Sequence, residues 1–222
     1  MLYASTWTDQ GTKLWRTTNG DDWIQFGLAG FDGTTANGGA ISSEIYNEKL
    51  YWGLGNWSTG AQLWYTDGNK LTQVINDGFE TIENEAVSSL AAFDGKLYAG
   101  LLSDSNIEVW RSDNDVDWEM VFSANDVGTA HNISGMEVYK GFLYLFAQND
   151  GEGMEVWRTS DGEYWEPTAF NGFGDPGNQL TYWDNGNVVF KNQLFVSTSN
   201  WATGGEVWIH SLYSIFLPLI LK

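Results

Sequence analysis

Two pentads in this chain, Asn56-Trp57-Ser58-Thr59-Gly60 and Asn200-Trp201-Ala202-Thr203-Gly204, set an indole beside an amide where strand periodicity does not require a tryptophan. Trp7 occupies the related place nearer the start. An indole stacks on the apolar face of a sugar ring while amides bond the hydroxyls. Trp7, Asn56, Trp57, Asn200 and Trp201 are therefore candidate ligand-binding residues, with a glycan as the ligand. The competing reading is packing over a neighbouring repeat or an assembly contact. Asp104-Ser105-Asn106 and Asn149-Asp150-Gly151 stand in the other two corresponding places, so such a platform is partial.

The remaining candidates are weaker. Asp113, Asp115 and Asp117 have the alternate-carboxylate spacing that hard cations use, but Trp118 and Ala124 replace the glycine and glutamate of an EF-hand loop. A solvated hairpin turn competes there with weak calcium binding; no other cofactor is expected. Glu108, Glu155 and Glu206 each precede Val-Trp, and their expected partners are Arg16, Arg111 or Arg158. The two histidines, His131 and His210, lie in different contexts without zinc spacing. No nucleophile elbow, phosphate loop or His-Glu-x-x-His occurs, so the chain is expected not to be an enzyme. Loop carboxylates are the one enzymatic route left open. Asn56-Trp57-Ser58 and Asn132-Ile133-Ser134 match the glycosylation sequon.

These residues hang on a repeat. The Trp residues 15, 64, 110, 157 and 208 follow Lys13-Leu14, Gln62-Leu63, Glu108-Val109, Glu155-Val156 and Glu206-Val207, and an upstream Leu-Tyr or Leu-Phe pair keeps the same beat. A period of about 47 residues built from short apolar runs predicts an all-β fold, a β-propeller of five repeats with four-stranded antiparallel blades. The repeats fall at about 1–38, 39–85, 86–132, 133–178 and 179–222 of a single domain, and the first lacks its innermost strand, strand a. The template blade is strand a at 87–93, b at 96–101, c at 107–111 and d at 118–122, with Asp94-Gly95 closing the first hairpin. The crossovers repeat Gly30-Phe31, Gly78-Phe79 and Gly172-Phe173 before Asn37, Asn84 and Asn178, with Asn132 alone in the third. These read as a phenylalanine plugged between blades and an asparagine holding the loop. At the end, Ile215, Phe216, Leu217, Leu219, Ile220 and Leu221 form an apolar run interrupted by Pro218. Pro218 favours an outer strand d, whereas apolarity on both faces favours burial, as a strand a or against another subunit; self-association is expected either way.

The motif Leu-Tyr-x-Gly followed by Glu-Val-Trp-Arg-x-x-Asp-Gly-x-x-Trp, cleanest at Glu155–Trp165, resembles bacterial extracellular propeller repeats of the broadly kelch-like kind. That resemblance implies the blade rather than an activity, and a place outside the cell or at its surface. The 29 acidic residues against 10 basic ones give a charge of −19, which repels phosphate backbones and anionic headgroups. Nucleic acid and membrane insertion are not expected. Without cysteine there is no disulfide, thiolate site or cysteine nucleophile. Residues 1–20 show no signal peptide although Leu2-Tyr3 already lies in a repeat, which suits a processed or truncated chain. The leading expectation is a non-catalytic extracellular binding and self-assembly module. A structural subunit of a filament, sheath or surface layer is the alternative, and a glycan hydrolase or lyase follows.

Overall fold

The computed structural model describes residues 1–103, 106–123, 130–149, 151–180, 186–210 and 216–218, with backbone alone at 130 and 131. The described chain is all-β and falls into two compact units, Met1–Val87 and Ser88–Lys222. None of its helices is long and apolar enough to cross a membrane.

The first unit begins with β1 (Leu2–Thr6), β2 (Lys13–Thr17) and β3 (Ile24–Gln25), paired antiparallel in that order. A four-stranded meander follows: β4 (Gly39–Tyr46), β5 (Lys49–Gly55), β6 (Gln62–Thr66) and β7 (Leu71–Ile75). Alternation places Leu14 and Phe26 of the first set, and Trp52, Leu54 and Trp64 of the second, in one core sealed by Phe31. The strand β8 (Asn84–Phe93) leads into the second unit.

There, β8 continues with β9 (Lys96–Ser103), β10 (Glu108–Ser112) and β11 (Glu119–Ser123). Next come β12 (Ala130–Tyr139), β13 (Phe142–Asn149), β14 (Glu155–Thr159) and β15 (Glu166–Ala169), again an antiparallel meander. The last set is β16 (Asn187–Phe190), β17 (Gln193–Ser197), β18 (Val207–His210) and β19 (Phe216–Pro218). One core joins β12–β15 to the set before it, through Tyr98, Val109, Ile133 and Leu145. Another joins it to the set after, through Tyr144, Val156, Leu194 and Phe216.

Each a–b hairpin closes with two residues at positive φ: Asn47 and Glu48, Asp94 and Gly95, Lys140 and Gly141, Lys191 and Asn192. Two-residue turns of this hand match the twist of the flanking strands. The crossovers behave as their repetition predicts. Gly30-Phe31, Gly78-Phe79 and Gly172-Phe173 are left-handed at both positions. The Nδ2 groups of Asn37, Asn84 and Asn178 donate to the carbonyls of Gly30, Gly78 and Gly172 at 2.8, 2.8 and 2.9 Å. Phe31 then meets the Trp64 ring at 5.8 Å, and Phe173 stacks on Trp208 at 4.5 Å. Asn132 instead donates to Ser134 Oγ at 3.3 Å.

The tail resolves into an outer strand: Phe216, Leu217 and Pro218 pair with His210, Ile209 and Trp208 of β18. Phe216, one of the residues expected to form an assembly surface, is only 8% exposed and packs against Phe173 and His210 of its own unit. The pairing to β18 turns that ring inward, leaving Leu217 outward among the described tail residues. Ile215, Leu219, Ile220 and Leu221 lie outside the described residues.

Candidate functional site: the indole-bearing loops

The loops between second and third strands share one frame. Asn56 Oδ1 accepts from the Ser58 and Thr59 amides at 2.9 and 3.0 Å; Asn200 Oδ1 does the same from Ala202 and Thr203, both at 3.0 Å. Asn149 accepts from Gly151 and Glu152 at 3.1 and 3.2 Å. Such side-chain turns fold the loop back on itself. A glycine then closes it at positive φ, at Gly11, Gly60, Gly153 and Gly204. At Gly60 a Cβ would lie 2.7 Å from the Gly78 nitrogen, so the position admits glycine alone without displacement of the crossover.

The amide groups are used up in this frame. Asn56 is 1% exposed and its Nδ2 donates to Asn37 Oδ1 at 2.7 Å; Asn200 Nδ2 donates to Asn178 Oδ1 and Asp175 Oδ2, both at 3.1 Å. In the structure these two amides frame their loops and tie them to the neighbouring crossovers. Burial of Asn56 and Asn132 likewise takes both sequons out of reach of a glycosylating enzyme in the folded chain.

The indoles go the other way. Turned out by the capped loop, Trp57 is 45% exposed and Trp201 fully so. Trp7, from the first repeat, is 55% exposed and faces Trp57 with ring centroids 5.7 Å apart and planes at 51°. Both rings lie on backbone. A Cβ at Gly39 would collide with the Trp7 ring, and one at Gly55 would sit 2.8 Å from Trp57 Cη2. The Thr8 amide donates to the Gly38 carbonyl at 3.0 Å, fixing the Trp7 loop beside that seat. The first unit thus presents two adjacent indoles, each supported by backbone and about half exposed. The frame repeats from loop to loop, while the residue thrown outward changes.

The third-strand carboxylates have different partners from those expected. Glu155 is 4% exposed; its Oε1 accepts from Asn149 Nδ2 and its Oε2 from Trp157 Nε1, both at 3.1 Å. Burial pushes its pKa up, with the Trp157 and Asn149 bonds pulling against that shift. Glu108 Oε2 accepts from Trp110 Nε1 at 2.8 Å, and Glu206 Oε2 from Asn178 Nδ2 at 3.0 Å. Gln62 does the same work uncharged, accepting from Trp64 Nε1 at 2.9 Å and Asn37 Nδ2 at 2.8 Å. The arginines serve the adjoining hairpins. Arg111 Nε pairs with Glu119 at 2.7 Å, its Nη2 with Glu163, and its Nη1 donates to the Gly162 carbonyl at 3.1 Å. Arg158 pairs with Glu166 at 2.6 Å, and Arg16 donates to the Gly68 carbonyl at 2.8 Å.

Asp113, Asp115 and Asp117 do not converge. Their hairpin is organised by Asn114, whose Oδ1 accepts from the Val116 and Asp117 amides at 2.9 and 2.8 Å and whose Nδ2 donates to Asp117 Oδ2 at 3.0 Å. No group of three metal-ligating side chains occurs among the described residues. The hairpin turn is tight, with Asp115 at φ 68°. A pocket of about 180 Å³ beside this hairpin is lined by Lys96, Arg111, Asp113, Asp117, Trp118 and Glu119. His210 is buried among Tyr139, Tyr144 and Phe216, with Nε2 3.2 Å from the Tyr144 hydroxyl. The side chain of His131 lies outside the described residues.

Neither a protein-family model nor a curated protein matches the chain by sequence. Solved structures do match its fold. An α-L-arabinofuranosidase (CtGH43) from Clostridium thermocellum is similar with a TM-score of 0.56 at 13% identity, over 96% of this chain and 83% of that one. An ancestral GH74 enzyme gives 0.65 at 17% identity, over 97% of this chain and 29% of the enzyme, so this chain spans less than a third of its length. A variant of the Aleuria aurantia lectin in complex with Fucα1-6GlcNAc gives 0.57 at 13% identity, over 98% and 77%. These are β-propellers, and the likeness gives this chain that fold. The expectation that the chain is not an enzyme is corrected by the same finding. Two of these three structures are glycoside hydrolases, so the fold is one that carries enzymes. The lack of a His-centred motif argues only against nucleophilic triads, and glycoside hydrolysis needs two carboxylates and no histidine.

Proposed function

We propose that this chain acts on glycans outside the cell, as a glycoside-hydrolase-type propeller that holds sugar rings on Trp7 and Trp57. The observation carrying this reading is the pair of exposed indoles 5.7 Å apart, each lying on glycine backbone in a loop fixed by hydrogen bonds. A preformed aromatic surface loses little freedom on binding, and an indole offers a sugar both contact area and a polar N–H. Trp201 supplies a further ring of the same origin. The glycoside hydrolases and the fucose-complexed lectin of similar fold support a glycan as the ligand, and the hydrolases support hydrolysis as the reaction. We read the five strand sets as five blades of a broadly kelch-like repeat. The test is release of reducing ends from a panel of polysaccharides by the intact chain. Trp7→Ala and Trp57→Ala should raise KM with little change in kcat. A folded protein that neither retains nor cleaves any glycan overturns the reading.

A further inference from the structure

The charge around the indole pair narrows what it can hold. The second-to-third-strand loops and the crossovers lie at the same end of their strand sets, because each leaves a strand running the same way. In the first unit those loops are residues 7–12, 26–38, 56–61 and 76–83. They carry Asp9, Asp32, Asp77, Glu80 and Glu83 and not one lysine or arginine. Of the four basic residues of that unit, Lys13 opens β2 directly after loop 7–12, at the platform end, whereas Arg16, Lys49 and Lys70 lie toward the opposite hairpins. Arg16 is engaged with the Gly68 carbonyl and the Phe26 ring, and Lys49 lies over the Tyr65 ring. An anionic sugar approaching the platform therefore meets five carboxylates against one lysine, Lys13, in a protein of net charge −19. A neutral sugar meets no such barrier. The pair also presents more than one ring's width of indole surface, with centroids 5.7 Å apart and planes tilted 51°.

Resting on the glycan reading above, we infer that the Trp7–Trp57 platform takes uncharged glycan chains of at least two sugar residues and refuses uronate- or sulfate-bearing ones. The carboxylates repel the anionic chains, since the stacking surface alone would accept either kind. Isothermal titration of the intact chain tests this, with cello-, xylo- and manno-oligosaccharide ladders set against oligogalacturonates and heparin-derived oligosaccharides, at 20 mM and 500 mM sodium chloride. Affinity for one neutral ladder should rise about three- to tenfold from one residue to two, a step that Trp57→Ala removes. Anionic ladders should bind at least tenfold more weakly at low salt, and the gap should narrow at 500 mM as screening shortens the repulsion. Anionic ladders binding as tightly as neutral ones at low salt would overturn the selectivity while leaving the glycan reading intact, as would a monosaccharide binding as well as a dimer. No binding by any ladder, with circular dichroism unchanged, would overturn both.

Discussion

Replacing Glu155 by glutamine and by alanine separates two causes that act on one buried carboxylate. Its two oxygens accept from Asn149 Nδ2 and Trp157 Nε1, both at 3.1 Å, and almost none of the side chain reaches water. Alanine removes the acceptor of both bonds, each a loss of about 1–3 kcal/mol. Part of that is recovered because Glu155 no longer suffers desolvation, so Glu155→Ala should destabilise by about 2–4 kcal/mol. Glutamine keeps an acceptor and removes the charge. Gln62 shows that one amide oxygen suffices, since its Oε1 serves Trp64, Asn37 and Gln73 at once. Glu155→Gln should therefore lie within about 1 kcal/mol of the parent at pH 7 and on the stable side. The pH dependence follows from the raised pKa. The parent is favoured below the ordinary glutamate value of 4.5 and loses stability as pH rises through the higher folded value, whereas the variant does not. Urea denaturation at pH 4.5 and pH 7, read as midpoint at unchanged slope, measures both effects. Equal damage from both substitutions, or a parent-to-glutamine difference that does not move with pH, would refute the reasoning.

Gly60→Ala should destabilise by about 1–3 kcal/mol, because φ is +93° and the added carbon meets the Gly78 nitrogen; thermal unfolding reads it. Burial first, and then the charges of Arg158 and Lys140, hold His210 below the usual histidine pKa. Its contribution is therefore full above pH 6.5 and is lost as pH falls through the folded value, so the unfolding midpoint should drop between pH 7 and pH 5, and less steeply in His210→Phe. Phe216→Ala should cost about 3–5 kcal/mol by opening a cavity beside Phe173 and His210, with the mass in solution unchanged by light scattering.

The strand pattern was legible because it is local. Leu97-Tyr98 and Val109-Trp110 alternate at the strand period, and the observed β9 and β10 begin at or within one residue of the expected strands. The Gly-Phe…Asn crossover was legible for a related reason: one loop solution recurs wherever its residues do. The partners of Glu155 were not read, although the signal was present. Residues i and i+2 share a strand face, which puts Glu155 beside Trp157 rather than beside an arginine. The arginines were legible only through hairpin register, which sets Arg111 opposite Glu119 and Arg158 opposite Glu166. That Asn56 and Asn200 cap their loops is not legible, because sequence cannot tell a side chain that caps a loop from one that faces solvent. Enzymatic activity is hidden from sequence for a deeper reason. Carboxylate pairs are brought together by folding and leave no spacing rule in the chain, so the absence of local motifs carried little information.

A glycan held by the Trp7–Trp57 pair has a simple readout. The most direct measurement is migration through native gels containing neutral polysaccharide, for the parent and for Trp7→Ala, Trp57→Ala and the double variant, with a gel free of polysaccharide as reference. Retardation of the parent, reduced in each single variant and abolished in the double, with unfolding midpoints unchanged, is the predicted result. Equal retardation of all four proteins, or none in any, would contradict the account.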